Sequence, residues 1–107
     1  MTFDEYQNEA MRTASHPSDD ESLLTAALGL CGESGEVADR IKKWRYHGHE
    51  LGHDDLVKEL GDVLWYLALA AEHLGVSLES VAQANINKLW ARYPDGFDSE
   101  RSKNRDS

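Results

Sequence analysis

Apolar positions in this chain recur with a helical period from one end to the other. Leu23, Ala27, Leu30, Val37, Ile41 and Trp44 follow at three-, four- and seven-residue spacing. They predict a long helix from about Ser22 to about Tyr46 with that stripe toward the core. From Leu56 to Ala70 the pattern is denser: Leu56, Val57, Leu60, Val63, Leu64, Trp65, Leu67, Ala68, Leu69 and Ala70 cover almost every direction around the axis. A helix apolar all round is expected to be buried. It is expected to start behind Asp54 or Asp55 as cap and to end at Leu74, before Gly75. A first helix is predicted over Phe3 to Ala14 and a fourth, capped by Ser77, up to Tyr93.

The breaks between these segments are equally legible. Ser15-His16-Pro17-Ser18-Asp19-Asp20 reads as a turn with capping residues, His47 to His53 as a glycine-containing loop, and Pro94-Asp95-Gly96 as a turn. There is no strand-like alternation, internal repeat or low-complexity tract. The fold class is all-α: an antiparallel bundle of four main helices spanning residues 1–97. A polar tail over residues 98–107 is expected to be mobile.

A chain of 107 residues with 40% apolar content can bury only a limited core, so a core completed by a second copy is expected. The net charge of −9, from 20 acidic and 11 basic residues, argues against a nucleic-acid partner, which calls for a basic face. It leaves phosphate ligands open, because a divalent cation can bridge carboxylates and phosphates. The single cysteine, Cys31, rules out an intrachain disulfide and a multi-cysteine zinc site. Among apolar neighbours it is expected to be a buried small residue. No apolar run approaches the roughly 18 residues needed to span a bilayer, and the N-terminus lacks a signal core, so no membrane partner and a cytoplasmic location are expected.

Against this background two acid pairs stand out. Glu33-Ser34-Gly35-Glu36 puts carboxylates at i and i+3, and Glu59-Leu60-Gly61-Asp62 repeats the pattern on the next helix. Each pair projects from one side of its helix, roughly 60° apart. Across an antiparallel contact the four can converge. Surface acids are common, but Glu59 and Asp62 lie in the helix expected to be buried, where an unpaired carboxylate costs several kcal/mol. Lys58 is the only basic residue on that helix. A hard divalent cation, Mg²⁺ or Mn²⁺, satisfies such oxygen ligands. Gly29, Gly32, Gly35 and Gly61 stand near the acids although glycine inside a helix costs about 1 kcal/mol, which points to close approach of a backbone or ligand.

The fourth helix carries Asn85, Lys88 and Arg92 on one face, within an arc of roughly 60°. Alone this could be a solvated face; next to a metal site it suits a polyphosphate. His47, His49 and His53 cluster in the loop before the third helix; exposed loop histidines usually bind no metal, though these could touch a substrate if the loop folds over the site.

With GESGE at 32–36, 22 intervening residues between Glu36 and Glu59, and then ELGDVLWYL from Glu59, the chain resembles the MazG-like nucleotide pyrophosphohydrolases, whose hallmark is E-x-x-E, a spacer and E-x-x-D. DEYQNEAMRTA near the N-terminus and ANINKLWARYPDGF near the C-terminus extend the resemblance from Phe3 to Phe97. It implies an all-α fold, Mg²⁺ (or Mn²⁺ as substitute) held by Glu33, Glu36, Glu59 and Asp62, and hydrolysis of NTPs or dNTPs to monophosphate and pyrophosphate, as in housecleaning of nucleotide pools. It also implies a homodimer or homotetramer with sites built from two chains. Asn85, Lys88, Arg92 and Tyr93 match the family's substrate-contacting C-terminal segment. Many members carry a further Glu where this chain has Gly32. A general base must then come from elsewhere, with Glu36, a metal-bound hydroxide or Asp39 as candidates. Related dCTP-preferring enzymes have an aromatic near the place of Trp44, which could stack on a base or close the apolar stripe. Two other readings share the features: phosphoribosyl-ATP pyrophosphohydrolase, which has the same acid pairs, and a non-catalytic helical interaction module.

Overall fold

The structure, a computed structural model, describes residues 1–15, 17 and 19–103, with Arg101 described by its backbone alone. Five helices follow one another: α1 (Phe3–Met11), α2 (Asp20–His47), α3 (His53–Leu74), α4 (Leu78–Arg92) and a short α5 (Ser99–Lys103). The described residues form no β-strand. His16, Ser18 and residues 104–107 lie outside the described residues, and with them part of the expected capping turn and the end of the expected tail. Within that tail, Ser99–Lys103 forms a turn of helix that the polar composition did not announce.

Local chemistry explains the boundaries. Thr2 and Glu5 form a reciprocal capping box at the start of α1. Asp19 caps α2 by accepting from the Glu21 amide, so that helix starts two residues before the expected Ser22. Ser77 caps α4 by accepting from the Ser80 amide. The expectation of an aspartate cap for α3 is corrected: Gly52 stands at the N-cap without a side-chain bond, and Asp54 and Asp55 fall in the first turn, where their charges favour the helix dipole. Gly48 and Gly75 end α2 and α3 at φ 72° and 71°, a left-handed conformation that glycine adopts without a Cβ clash.

α2 and α3 form the principal pair. Ser22 meets His73, Gly29 meets Tyr66, Glu33 approaches Asp62, and Arg40 reaches Asp55. Positions rise along one helix as they fall along the other, so the pair is antiparallel. At Gly29 the contact is so close that a Cβ would overlap the Tyr66 ring, whereas Gly32, Gly35 and Gly61 have open space at that position. Of the four glycines expected to admit a backbone or a ligand, Gly29 is the one a neighbouring helix fills, and the other three leave room at their Cβ positions. Ser22 and Ala26 are the buried residues of α2. The predicted stripe is rotated from this seam: Leu23, Ala27, Ile41 and Trp44 are exposed, and Leu30 and Val37 are half-buried. Small side chains let the two backbones come together, and larger apolar ones turn outward.

α1 and α4 dock on this pair. The Trp65 indole donates to the Ala10 carbonyl and the Thr13 hydroxyl. Buried Gln7 donates to the Val76 carbonyl and the Glu72 carboxylate and accepts from the Leu78 amide. The buried apolar set is mostly small: Ala10, Ala26, Ala68, Leu69, Ala71 and Leu78. The radius of gyration is 16.7 Å, above the roughly 13 Å of a compact domain of about 100 residues. Leu28, Leu60, Leu74 and Trp90 are each more than half exposed. The expectation that α3 is buried all round is therefore corrected for the single chain: its α2-facing side is covered, while Val57, Leu60 and Leu67 face outward. Cys31 is likewise exposed, not buried, because the apolar residues beside it on α2 do not face the seam.

Candidate functional site

The α2–α3 seam brings three of the four motif acids together. One carboxylate oxygen from each of Glu33, Glu59 and Asp62 lies within 4.8 Å of the others. Glu33 sits on α2, and Glu59 and Asp62 on the facing turn of α3. Glu33 and Glu59 are half-buried and Asp62 is exposed. The cluster thus lies at the rim of the seam; of the expected placement in or beside a core, it is the position beside it.

Three like charges at this separation repel one another. Partial burial, followed by the Asp62 and Glu59 charges, pushes the Glu33 carboxyl above its ordinary value; a hydrogen bond with Glu59 and the charge of Glu36 act the same way. The Tyr6 phenol on α1 is also pushed up, by burial first and then by the Asp62 charge. Three hard oxygen donors that crowd one another are a donor set suited to a divalent cation, and a cation there relieves the repulsion.

Glu36 stands one turn beyond Glu33 and is not part of the close group. It lines an adjoining cavity of about 220 Å³ with Asp39, Arg40, Lys43, His49, Glu50, Leu51 and Gly52. Of the loop histidines, His49 therefore borders the site, whereas His53 pairs only with its neighbour Asp54 at 3.5 Å. Asp39 is bound by Lys43 at 2.8 Å and Lys42 at 3.5 Å. The Lys43 hydrogen bond holds its carboxyl below the ordinary value despite partial burial, and Lys42 adds to this. Asp39 is thus engaged by two lysines, whereas Glu36 makes no ion pair among the described residues.

The sequence reading missed Arg40. Its Nε donates to Glu59 Oε1 at 3.2 Å, and its Nη1 lies 4.0 Å from Asp55. Lys58 is the only lysine or arginine on α3, the helix of Glu59 and Asp62, whereas Arg40 comes from α2. The i+4 and i+7 relation of Arg40 to Glu36 and Glu33 is the signal that could have found it.

The remaining candidates do not join the cluster within this chain. Asn85 and Lys88 are exposed on α4, and Arg92 and Tyr93 are half-buried at its end. Tyr93 packs against Phe97 with ring centroids 5.5 Å apart. Trp44 is about half exposed near the end of α2. No described helix is long and apolar enough to cross a membrane.

Comparison with known proteins agrees with this geometry. The model of the MazG nucleotide pyrophosphohydrolase domain matches residues 21–97, which includes both acid pairs. The chain is similar to the Gene 37 protein of Mycobacterium phage L5, at 39% identity over 114 aligned positions covering 98% of this chain and all of that protein. It is also similar to the uncharacterized protein YvdC of Bacillus subtilis (strain 168), at 32% identity over 78 positions, covering 60% of this chain and 69% of that one. Neither name states an activity. No solved structure matches. The helical fold, the paired acids and the extent of the match agree: this chain belongs to the MazG nucleotide pyrophosphohydrolase family.

Proposed function

We propose that the protein hydrolyses nucleoside triphosphates, NTPs or dNTPs, to the monophosphate and pyrophosphate in the housecleaning of nucleotide pools, with Mg²⁺ as its cofactor and Mn²⁺ as a substitute. The convergence of Glu33, Glu59 and Asp62 within 4.8 Å carries this reading. These carboxylates, joined by Glu36 through a change of rotamer, would hold the cation. When bound, it would polarise the phosphate oxygens and neutralise charge on the leaving pyrophosphate. Glu36, which makes no hydrogen bond or ion pair among the described residues, would accept the proton of the attacking water.

The exposed apolar residues Leu28, Leu60, Leu74 and Trp90 support a homodimer or homotetramer. In it, Asn85, Lys88, Arg92 and Tyr93 of one copy would contact the substrate held at the carboxylates of another, with Lys88 and Arg92 on its phosphates, and Trp44 would stand against the base. The test is pyrophosphate release over a panel of NTPs and dNTPs with Mg²⁺ and with Mn²⁺. Turnover is expected with at least one substrate and to be abolished in a folded Glu36→Gln variant. A silent panel under both metals refutes the triphosphate reading, and full turnover by Glu36→Gln refutes the role of Glu36.

A further inference from the structure

We propose that Arg40 is a phosphate-binding residue that exchanges Glu59 for the substrate when the cation binds. This rests on the pyrophosphohydrolase reading and adds a residue to its site. Arg40 lies on the same face of α2 as Glu33 and Glu36, and its guanidinium touches the cluster directly, with Nε 3.2 Å from Glu59 Oε1. Its other acidic neighbour, Asp55, is 4.0 Å away. The Arg40 side chain is 42% exposed and that of Asp55 60% exposed, so the Asp55 pair holds it only weakly, and Glu59, at 16%, is its main anchor. Lys43, the next cation along the face, is by contrast held by Asp39 at 2.8 Å.

Arg40 also borders the cavity of about 220 Å³ that begins at Glu36. A phosphate chain anchored at the carboxylate cluster and running past Glu36 meets the guanidinium first. Without a cation, Arg40 is the counter-ion of Glu59. Once a cation takes over the Glu59 charge, the guanidinium is released with its donors free, and a phosphate offers it two oxygens in the matching fork geometry. Arg40 and the cation thus compete for Glu59 but cooperate on the phosphate.

This competition gives a pair of effects with opposite signs. Mn²⁺ binding, by isothermal titration, and binding of inorganic pyrophosphate at saturating Mn²⁺ are to be compared in the wild type, Arg40→Gln, Arg40→Lys and the control Arg45→Gln. Arg45 is on the same helix but engages the Tyr46 ring. In Arg40→Gln, Mn²⁺ affinity is expected to rise, an unchanged value overturning the competition for Glu59, and pyrophosphate affinity to fall about tenfold to a hundredfold, the range for lost hydrogen bonds to charged groups. Arg40→Lys keeps the charge without the fork and should lie between; Arg45→Gln should match the wild type. Parallel loss of Mn²⁺ and pyrophosphate affinity would mean that Arg40 only positions Glu59, and unchanged pyrophosphate affinity would mean that it does not meet phosphate; either overturns the proposal. A wild type that binds Mn²⁺ but no pyrophosphate would instead count against the pyrophosphohydrolase reading itself.

Discussion

Gln7 is the residue whose loss the fold should feel most sharply. It is 7% exposed and ties α1 to the α3–α4 connection through three bonds. Its Oε1 accepts from the Leu78 amide at 2.6 Å, and its Nε2 donates to the Val76 carbonyl and the Glu72 carboxylate, each at 3.1 Å. Gln7→Leu keeps the volume and removes all three. Leu78 is itself buried, so its amide loses its acceptor where water has little access, at about 1–3 kcal/mol. The two donor bonds are part-buried and contribute about 0.5–1 kcal/mol each after water replaces them. The expected loss is about 3 kcal/mol, or about 15 °C in Tm at roughly 5 °C per kcal/mol for a domain of this size. Urea unfolding of the metal-free protein checks it, read as a shift of midpoint at constant slope. Gln83→Leu is the control, because Gln83 is exposed and bonds only Asn87 one turn on; it should stay within about 0.5 kcal/mol of the wild type. A Gln7→Leu loss below about 1 kcal/mol would refute the reasoning, since the Leu78 amide would then have found another partner.

The α2–α3 seam predicts opposite outcomes for two glycines. Gly29→Ala drives a methyl into the Tyr66 ring and should destabilise by about 1–3 kcal/mol, while Gly32→Ala, with open space at its Cβ, should stabilise by up to about 1 kcal/mol through helix propensity; thermal melts showing the same sign for both would contradict the close contact at Gly29. The raised Glu33 carboxyl predicts a pH dependence. Below the unfolded-state value Glu33 is protonated in both states and contributes nothing. As pH rises from that value through the raised folded value, charge develops among Asp62 and Glu59, so the metal-free protein should lose stability across that window. Glu33→Gln should flatten the loss, and Mg²⁺ should reverse it in the wild type; urea midpoints with the same pH slope in both proteins would show that Glu33 is not the titrating group.

Helix periodicity reported the elements well because each is fixed by local chemistry. Ser77 and Gly75 act within a turn of the residues they govern, and the structure realises both. What periodicity could not report is which apolar face meets which helix. On α2 the Leu23-to-Trp44 stripe was the conspicuous one, yet the seam uses Ser22, Ala26 and Gly29, whose hydropathy is weak and whose small size is what permits contact. Arg40 shows a related limit: its spacing to Glu33 and Glu36 puts it on their face of α2, but its partner Glu59 is 19 positions away, and only the register of two helices sets them side by side.

The site belongs to the same seam, and this changes why its carboxylates matter. In the sequence, the reason to expect a cation is that an all-apolar α3 would bury Glu59 and Asp62. In the structure Asp62 is exposed and Glu59 is bonded to Arg40, so desolvation alone does not demand a metal. The demand comes from crowding: Glu33, carried in on α2, is the third carboxylate within 4.8 Å, and a single guanidinium at 3.2 Å from one of them leaves most of the negative charge uncompensated. The small residues that let α2 and α3 approach therefore also set the separation of the acids. A seam opened at Gly29 would relieve the repulsion and weaken the cation site together, which ties the packing of the helices to the affinity of the proposed centre.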